Sequence, residues 1–268
     1  EGTPNPVYGD PLYPAALGSG GSSGLYGRAG GDGGGWVYIE AGNTIVDGLI
    51  SANGDQGYGN FAGSGSGGAV RIVTNHFQGS GVIQANGGAY QVGGGGGRIA
   101  VDYTTLGGSG GDFNGLLDIT AFGGTGISYP ASAGTVVLRQ SGQTYGSLYV
   151  DAGFEESTAS RYMPLPHIGF GTIQNLSADT LTTDGLVRML PHGLAGLAFN
   201  PNLNQTNVYT ILDNTEDTIT VDLTGKPALT AIATPGDTYA GDHRYNNVYF
   251  RRGGALLLGD PLFVTGEL

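Results

Sequence analysis

Residues 67–87 set the pattern of this chain: they begin with Gly67-Gly68-Ala69-Val70-Arg71-Ile72-Val73 and end with Ile83-Gln84-Ala85-Asn86-Gly87. The first segment is a glycine pair followed by aliphatic residues at alternate positions, and this period of two predicts a β-strand. The second segment is a shorter strand that ends in Asn-Gly, a pair typical of sharp turns because both residues tolerate positive φ. Glycine run, strand, second strand and corner therefore form one unit.

The same unit occurs three times in the same order, and a weaker fourth version follows. The other versions comprise Gly33–Glu40 with Ile50–Gly54, Gly96–Asp102 with Ile119–Gly123, and Ala133–Arg139 with Tyr149–Gly153. Matching strand positions are offset by 33, 29 and 37 residues. A repeat of roughly 20–50 residues is typical of solenoids, in which each unit buries its apolar face only against its neighbours.

The repeated strands predict two columns of core residues, because residues i and i+2 of a strand share one face. The first column contains Val37, Val70, Ile99 and Val136, and the second contains Ile39, Ile72, Val101 and Leu138. Every member is aliphatic. The opposite face has the mixed set Tyr38, Arg71, Ala100 and Val137 and is predicted to face solvent.

Glycine is concentrated in residues 1–153, which contain 42 of the 54 glycines. We predict an all-β protein: a parallel β-solenoid with glycine-rich arms over residues 1–153 and a smaller all-β section over residues 154–268. Continuation of the solenoid into the second section is left open. The arms are either closely packed extended backbones, an arrangement that only glycine allows, or irregular loops.

The second section contains several strand signals separated by turn residues. They lie at residues 172–176, 185–190, 208–212, 218–222, 247–250, 255–258 and 261–264.

One segment of the first repeat carries a resemblance to a known family. Asp47-Gly48-Leu49-Ile50-Ser51-Ala52-Asn53-Gly54, with its glycine run, resembles the repeats of very large glycine-rich bacterial surface proteins. Residues 214–221, 236–239 and 264–266 are similar to other modules of such proteins. The resemblance covers most of residues 30–153 and parts of 205–268. It implies a β-solenoid on a cell surface with a structural or adhesive role.

Composition narrows the function classes. The net charge is −12, with one lysine and nine arginines, so no basic patch for nucleic acid is expected. The sequence contains no run of 18 apolar residues, so no membrane span is expected. The absence of cysteine excludes disulfides and thiolate metal sites. The low charge and the many Gly, Ser, Thr, Asn and Tyr residues are typical of an extracellular or surface protein.

An enzyme is the alternative interpretation. Asp242-His243-Arg244, near Tyr239 and Tyr245, is the densest polar cluster. In a polysaccharide lyase the arginine would neutralise a uronate, and histidine or tyrosine would move the proton. A glycoside hydrolase would need two carboxylates, for which the candidates are Asp179, Asp184, Asp213 and Asp217.

No cofactor is required by the sequence, but Ca²⁺ is a candidate ligand. Carboxylates are the oxygen ligands that calcium prefers. The acidic residues that lie close together in sequence are Asp213, Glu216, Asp217 and Asp222, and also Asp237 and Asp242.

Four aromatic residues lie inside glycine arms, outside the predicted strands and their core: Tyr26, Tyr58, Phe61 and Tyr90. Exposed rings can stack on sugar faces, and the alternative is that each ring covers its own arm.

The leading hypothesis is a non-enzymatic extracellular structural or adhesive module. Its expected partners are a surface glycan or neighbouring copies or modules of a larger surface protein. A filament-forming subunit is the third hypothesis, because solenoid ends can stack.

Overall fold

The computed structural model describes residues 7–107, 118–153 and 162–268. This described part is all-β: it contains strands and two short 3₁₀ turns, Leu25–Gly27 and Leu229–Ala231, and no α-helix. None of its helical segments is long and apolar enough to cross a lipid bilayer. The chain divides into two compact units. We call residues 11–163, 245–256 and 264–268 the glycine-rich unit, and residues 1–10, 164–244 and 257–263 the barrel unit.

The strands of the glycine-rich unit are β1 (Trp36–Ile45), β2 (Leu49–Ser51), β3 (Ala69–Gln78), β4 (Val82–Gln84), β5 (Arg98–Leu106), β6 (Ile119–Thr120), β7 (Thr135–Gln140), β8 (Ser147–Asp151) and β17 (Asn247–Arg251). Those of the barrel unit are β10 (Gly171–Leu176), β11 (Thr180–Thr183), β12 (Ala198–Asn200), β13 (Tyr209–Asn214), β14 (Thr218–Val221) and β15 (Thr238–Gly241). The remaining short strands are β9 (Met163–Pro164), β16 (His243–Tyr245), β18 (Leu256–Leu257) and β19 (Leu262–Val264).

Two parallel sheets carry the repeat. Strands β1, β3, β5 and β7 pair in parallel in this order, and β2, β4 and β6 form the second sheet. Both predicted columns are confirmed residue by residue, since Val37 pairs with Val70, Val70 with Ile99, and Ile99 with Val136. The short strands align Ile50, Ile83 and Ile119 in the same way.

The two sheets share one hydrophobic core. Val70, Ile72, Ile83 and Ile99 are fully buried in it. Complete burial of such a side chain contributes about 1.5–3 kcal/mol, so stacking of successive repeats is the main stabilising contribution of this unit. In the first repeat, Val37 and Ile39 pack against this core but are only partly buried.

The glycine-rich segments at residues 17–35, 53–68, 86–97 and 122–134, here called the first to fourth arms, are closely packed. Backbone hydrogen bonds join one arm to the next: the N–H of Gly88 donates to Gly65 O at 2.9 Å, and the N–H of Gly124 donates to Gly94 O at 2.8 Å. A Cβ atom at Gly65 or Gly88 would lie within 3 Å of backbone atoms of a neighbouring arm. Of the two alternatives for the arms, the structure therefore shows packed backbones rather than irregular loops.

The fourth version of the repeat departs from the others. Its second strand, β8, turns back and pairs antiparallel with β7, instead of extending the sheet of β2, β4 and β6. The connection is too short for a parallel crossover, and it closes through Gly142 and Gly146, which have φ values of 95° and 74°. Strand β17 then pairs in parallel with β8.

The face opposite the core was predicted to face solvent, and this is wrong at Ala100 and Val137, which are buried. The segment around Leu12 and Tyr13 is bound to this face by arginines of β3 and β7. Arg71 donates to Leu12 O at 2.7 Å, and both guanidinium groups lie over the Tyr13 ring.

One aspartate links these two arginines. Arg139 makes two hydrogen bonds of 2.7 Å to the Asp102 carboxylate, and Arg71 makes a third at 3.0 Å. The three side chains are only 15–19% exposed. Burial acts to lower the pKa of Arg139, but the hydrogen bonds to Asp102 and Tyr13 outweigh it and raise the pKa above its ordinary value.

The barrel unit contains a closed antiparallel barrel in the strand order β10-β11-β14-β13-β12-β15. Its core includes the fully buried Leu181, Phe199, Tyr209 and Ile219. The buried Tyr209 hydroxyl donates to Pro227 O at 2.9 Å, which satisfies its polar group.

Most strand signals of the second section are confirmed, but the barrel was not predicted. The signals at 172–176, 208–212 and 218–222 correspond to β10, β13 and β14. The predicted strand at 185–190 is wrong. This segment begins with a turn, in which Gly185 has a φ of 71° and the Asp184 carboxylate accepts the N–H of Leu186 at 3.1 Å.

Candidate functional site

A cavity of about 460 Å³ lies at the tips of the first three arms. Its lining contains three of the four aromatic residues that the sequence proposed, Tyr26, Tyr58 and Tyr90. The other lining residues are Leu25, Arg28, Gln56, Gly57, Gly59 and Asn60. Three successive repeats therefore each contribute one tyrosine to a single site.

The first arm presents Tyr26 at its turn. Tyr26 has φ 60° and ψ 30°, a left-handed conformation that is strained for a residue with a Cβ atom, and its side chain is 95% exposed. The turn is closed by a hydrogen bond of 2.9 Å from Gly24 N–H to Arg28 O and is joined to the second arm by Leu25 N–H to Asn60 O at 3.1 Å. Burial does not explain this strain, because the ring touches solvent on almost every side.

The second arm presents Tyr58, whose N–H donates to Ala29 O at 3.0 Å. The next residue, Gly59, has a φ of 108°, and a Cβ atom there would lie 3.0 Å from Cγ of Arg28. Glycine at this position leaves room for the Arg28 stem to pass beside the second arm. The arginine thereby reaches the same cavity as the two tyrosines.

Phe61, the fourth predicted aromatic residue, does not line the cavity. Its φ is 58°, its ring is half exposed, and its N–H donates to Gln91 Oε1 at 2.8 Å. Phe61 thus lies on the same arm as Tyr58 without lining the cavity, and its positive φ is close to that of Tyr26.

The third and fourth arms extend the row of exposed apolar side chains. Tyr90 O accepts the N–H of Ile127 at 2.9 Å, which fixes the tip of the fourth arm against the third. Ile127 is 82% exposed and Tyr129 is 62% exposed. We did not identify these two residues from the sequence. The signal was present, since both lie between Gly126 and Pro130 in a glycine arm.

The cavity combines aromatic rings with hydrogen-bonding groups. Among the described residues, the guanidinium of Arg28 and the side-chain amides of Gln56 and Asn60 have no hydrogen-bonding partner. The arm backbones that carry these side chains are joined by hydrogen bonds, so the points from which the side chains extend are set before a ligand arrives. Such a site can stack on a flat apolar face and can donate or accept hydrogen bonds at its rim.

A second cavity of about 550 Å³ lies over the outer face of β1, β3, β5 and β7. Its charged lining residues are Glu40, Asp102 and Arg139. Asp102 and Arg139 bind each other, and Glu40 accepts a hydrogen bond of 2.7 Å from the Tyr38 hydroxyl. These groups stabilise the sheet face.

The cluster Asp242-His243-Arg244 is built differently from an open catalytic site. Asp242 is buried and accepts two hydrogen bonds, of 2.5 and 2.8 Å, from Arg244. The buried Nε2 of His243 has no hydrogen-bonding partner among the described residues. Burial lowers the pKa of His243, although Asp260 and Asp242 act to raise it. The arginine of the lyase hypothesis is therefore engaged with its own neighbour.

The candidate carboxylates each serve local structure. Asp213 lies 2.7 Å from Nδ1 of His192, and this hydrogen bond and the Asn214 N–H lower its pKa. Asp217 accepts from Thr215 at 3.0 Å, and Asp179 accepts from Ser177 at 3.1 Å.

The acidic residues of the calcium hypothesis lie in similar surroundings. Glu216 pairs with Arg188, Asp222 accepts the N–H of Thr224, and Asp237 accepts from Asn202. In residues 7–107, 118–153 and 162–268 no three acidic or histidine side chains are grouped to hold a metal ion. Calcium binding stays a prediction.

Comparison of the chain with protein-family models, with curated proteins and with solved structures found no match.

Proposed function

We propose that this chain is a non-enzymatic glycan-binding module of an extracellular bacterial surface protein, in which stacked β-solenoid coils hold glycine arms that present the ligand site. The solenoid interpretation is supported by the two parallel sheets, which pair the same repeat positions in register. The surface location is supported by the resemblance of residues 47–54 to repeats of bacterial surface proteins.

The observation that carries the proposal is the convergence of Tyr26, Tyr58 and Tyr90 on one cavity. Each tyrosine comes from a different arm, and Tyr26 adopts a strained backbone while its ring remains exposed. Strain of this kind costs roughly 1–3 kcal/mol and is typical of ligand sites. A ring that only covered its own arm would be buried against it, and the 95% exposure of Tyr26 argues against that alternative.

Sugars match the chemistry of this cavity. A sugar ring has an apolar face of C–H groups that stacks on tyrosine, and hydroxyl groups at its edge that pair with Arg28, Gln56 and Asn60. The volume of about 460 Å³ is typical of small-ligand sites. Because the arms are already hydrogen-bonded to one another, binding orders few additional groups, which favours affinity.

The charge of the chain restricts the class of glycan. With a net charge of −12 the protein repels densely charged polyanions, and one arginine in the cavity does not offset this. We therefore propose a neutral or sparsely charged polysaccharide as the ligand. Its binding should depend only weakly on ionic strength.

Size-exclusion chromatography tests this proposal. The protein is incubated with a panel of neutral, sparsely acidic and densely acidic polysaccharides, and the eluted protein and polymer are both measured. We expect co-elution with an intact neutral or sparsely acidic polymer, and loss of co-elution in the Tyr58→Ala variant. Tyr38→Ala is the matched control, because Tyr38 is exposed to a similar extent outside the cavity. A shift of the polymer to lower mass would show an enzyme and contradict the proposal.

A further inference from the structure

The first repeat exposes one edge of each parallel sheet. Within the described ranges β1 pairs only with β3, and β2 pairs only with β4. The core residues on this edge, Val37 and Ile39, are partly buried, whereas Val70 and Ile72 in the next repeat are fully buried. At β1 the two core columns therefore have a neighbouring repeat on one side and none on the other within the described ranges.

Successive repeats approach each other most closely at glycines. A glycine directly precedes each of the strands β3, β5 and β7, at Gly68, Gly97 and Gly134. At each of them, a carbonyl group of the preceding repeat occupies the place that a Cβ atom would take. The same carbonyl accepts the N–H of the following residue, for example Ala69 N–H to Gly35 O at 3.0 Å. Glycine is thus required at this position wherever another repeat lies against it.

Gly35 occupies the same position in the first repeat, yet no atom of the described residues lies within 4 Å of its Cβ position. The short strands repeat this observation. Gly81 has the Gly48 carbonyl in the place of its Cβ atom, while in the part of the chain that the structure describes nothing lies within 4 Å of the Cβ position of Gly48. Neither Gly35 nor Gly48 has a left-handed φ, so backbone conformation does not require glycine at either place.

We propose that this edge binds a further coil of the same chemistry, supplied by a separate polypeptide segment. The segment would pair in parallel with β1 and β2, place one carbonyl over Gly35 and another over Gly48, and extend both aliphatic columns. This is strand addition to an exposed sheet edge, with main-chain hydrogen bonds giving affinity and the side-chain columns giving specificity.

The occupant is argued from continuity with interfaces that exist in the molecule. The β1–β3, β3–β5 and β5–β7 interfaces share one parallel register, with glycine at the same place. A second copy related by a twofold axis would pair β1 with β1 antiparallel, and that arrangement does not reproduce the carbonyl over Gly35. A parallel segment with a glycine pair before its strand reproduces it at both open glycines.

A synthetic peptide carrying residues 64–87, which form the second coil, tests the proposal. Trp36 is the only tryptophan of the chain, lies at the start of β1 and is half exposed, so its fluorescence reports on the edge. We expect a saturable blue shift of Trp36 emission on titration with the peptide. A second peptide in which Val70→Lys and Ile72→Lys are introduced is expected to give no shift.

Three protein variants make the test specific. Gly35→Ala and Gly48→Ala place a Cβ atom where the incoming carbonyl must lie, and we expect each to weaken peptide binding at least tenfold. Gly42→Ala is the matched control: no described atom lies within 4 Å of the Cβ position of Gly42 either, but Gly42 lies inside β1, between Ala41 and Asn43, which pair with Thr74 and His76. Circular dichroism checks that all variants fold. Equal peptide affinity in Gly35→Ala and wild type, no saturable binding, or a dimer that excludes the peptide would overturn the proposal.

Discussion

The carbonyl oxygen of Gly35 occupies the space in which a side chain at Gly68 would begin, and the N–H of Ala69 donates to this oxygen at 3.0 Å. The spacing between repeats is set by this approach of two backbones. We expect Gly68→Ala to lower the free energy of unfolding by about 3 kcal/mol, because neither backbone can move without breaking the ladder. Urea denaturation measures the loss.

A neighbouring pair of glycines controls for the general effect of replacing glycine. A Cβ atom at Gly96 would collide with backbone atoms of Ala121 and Gly134, whereas no atom of the described residues lies within 4 Å of the Cβ position of Gly95. Gly96→Ala should destabilise like Gly68→Ala. Gly95→Ala should be neutral or stabilise by up to about 1 kcal/mol, because it restricts the unfolded chain. Similar losses at both positions would show that the arms are not closely packed.

Tyr26 gives a prediction that separates stability from binding. Asparagine tolerates the left-handed conformation better than tyrosine, and the exposed ring loses almost no packing when it is removed. We expect Tyr26→Asn to have equal or slightly higher thermal stability and about tenfold weaker glycan binding. A clear drop in melting temperature would show that the ring supports the arm, as in the alternative interpretation of these aromatics.

The pair of arginines on the outer sheet face predicts a stability effect. Asp102→Asn leaves Arg71 and Arg139 without a counterion in a site where all three side chains are largely buried. We expect a loss of about 2–3 kcal/mol in the free energy of unfolding. The control is Glu216→Gln, which breaks the exposed pair with Arg188 and should change stability by less than about 1 kcal/mol. Equal losses in the free energy of unfolding for the two substitutions would contradict the role of Asp102 as the buried counterion of both arginines.

His243 predicts the direction of a pH effect. Its folded-state pKa lies below the ordinary value of 6.5, mainly because of burial, so the unfolded chain binds the proton more readily. The contribution of His243 to stability is therefore fully present above pH 6.5 and decreases as the pH falls below that value.

Urea midpoints at pH 7.5 and 5.5 check this effect. We expect a smaller decrease in His243→Asn than in wild type, since asparagine does not titrate. His76→Asn, which replaces an exposed histidine of β3, is the control for a histidine-to-asparagine substitution outside this cluster. A wild-type midpoint that rises on acidification, or an unchanged slope in His243→Asn, would refute the prediction.

The parallel register was predictable because the information is local and repeated. Aliphatic residues at the positions of Val70 and Ile72 alternate with other residues in each copy. A shift of the pairing by one position would turn these side chains away from the core. The length of β3 was not predictable from this pattern. The strand continues to Gln78 through polar residues such as Thr74 and His76, and these pair only because the neighbouring strands continue beside them.

The barrel depended on long-range pairing that the sequence pattern does not contain. Strands β12 and β15 have only three and four residues, and β15 pairs with β10 and β12, which both lie far from it in sequence. Strand β8 showed a similar limit, since its sequence fits either direction and the short turn before it decides between them.

The candidate site was predictable in part. An aromatic residue in a glycine arm was recognisable, but the meeting of Tyr26, Tyr58 and Tyr90 depends on arm length and on the hydrogen bonds between arms. Arg28 had no sequence signal, because a single arginine beside a glycine run is unremarkable. Its role in the cavity follows from the space beside Gly59.

The most direct test of the account is the affinity of the triple variant Tyr26→Ala, Tyr58→Ala, Tyr90→Ala for the polysaccharide that co-elutes with the wild type. Isothermal titration calorimetry at two salt concentrations measures it, with Tyr38→Ala as the control. We predict a loss of at least about 100-fold in the triple variant, since each stacked ring contributes roughly 1 kcal/mol or more. The control should keep wild-type affinity, and salt should have little effect. Unchanged affinity in a folded triple variant would contradict the assignment of this cavity as the glycan site.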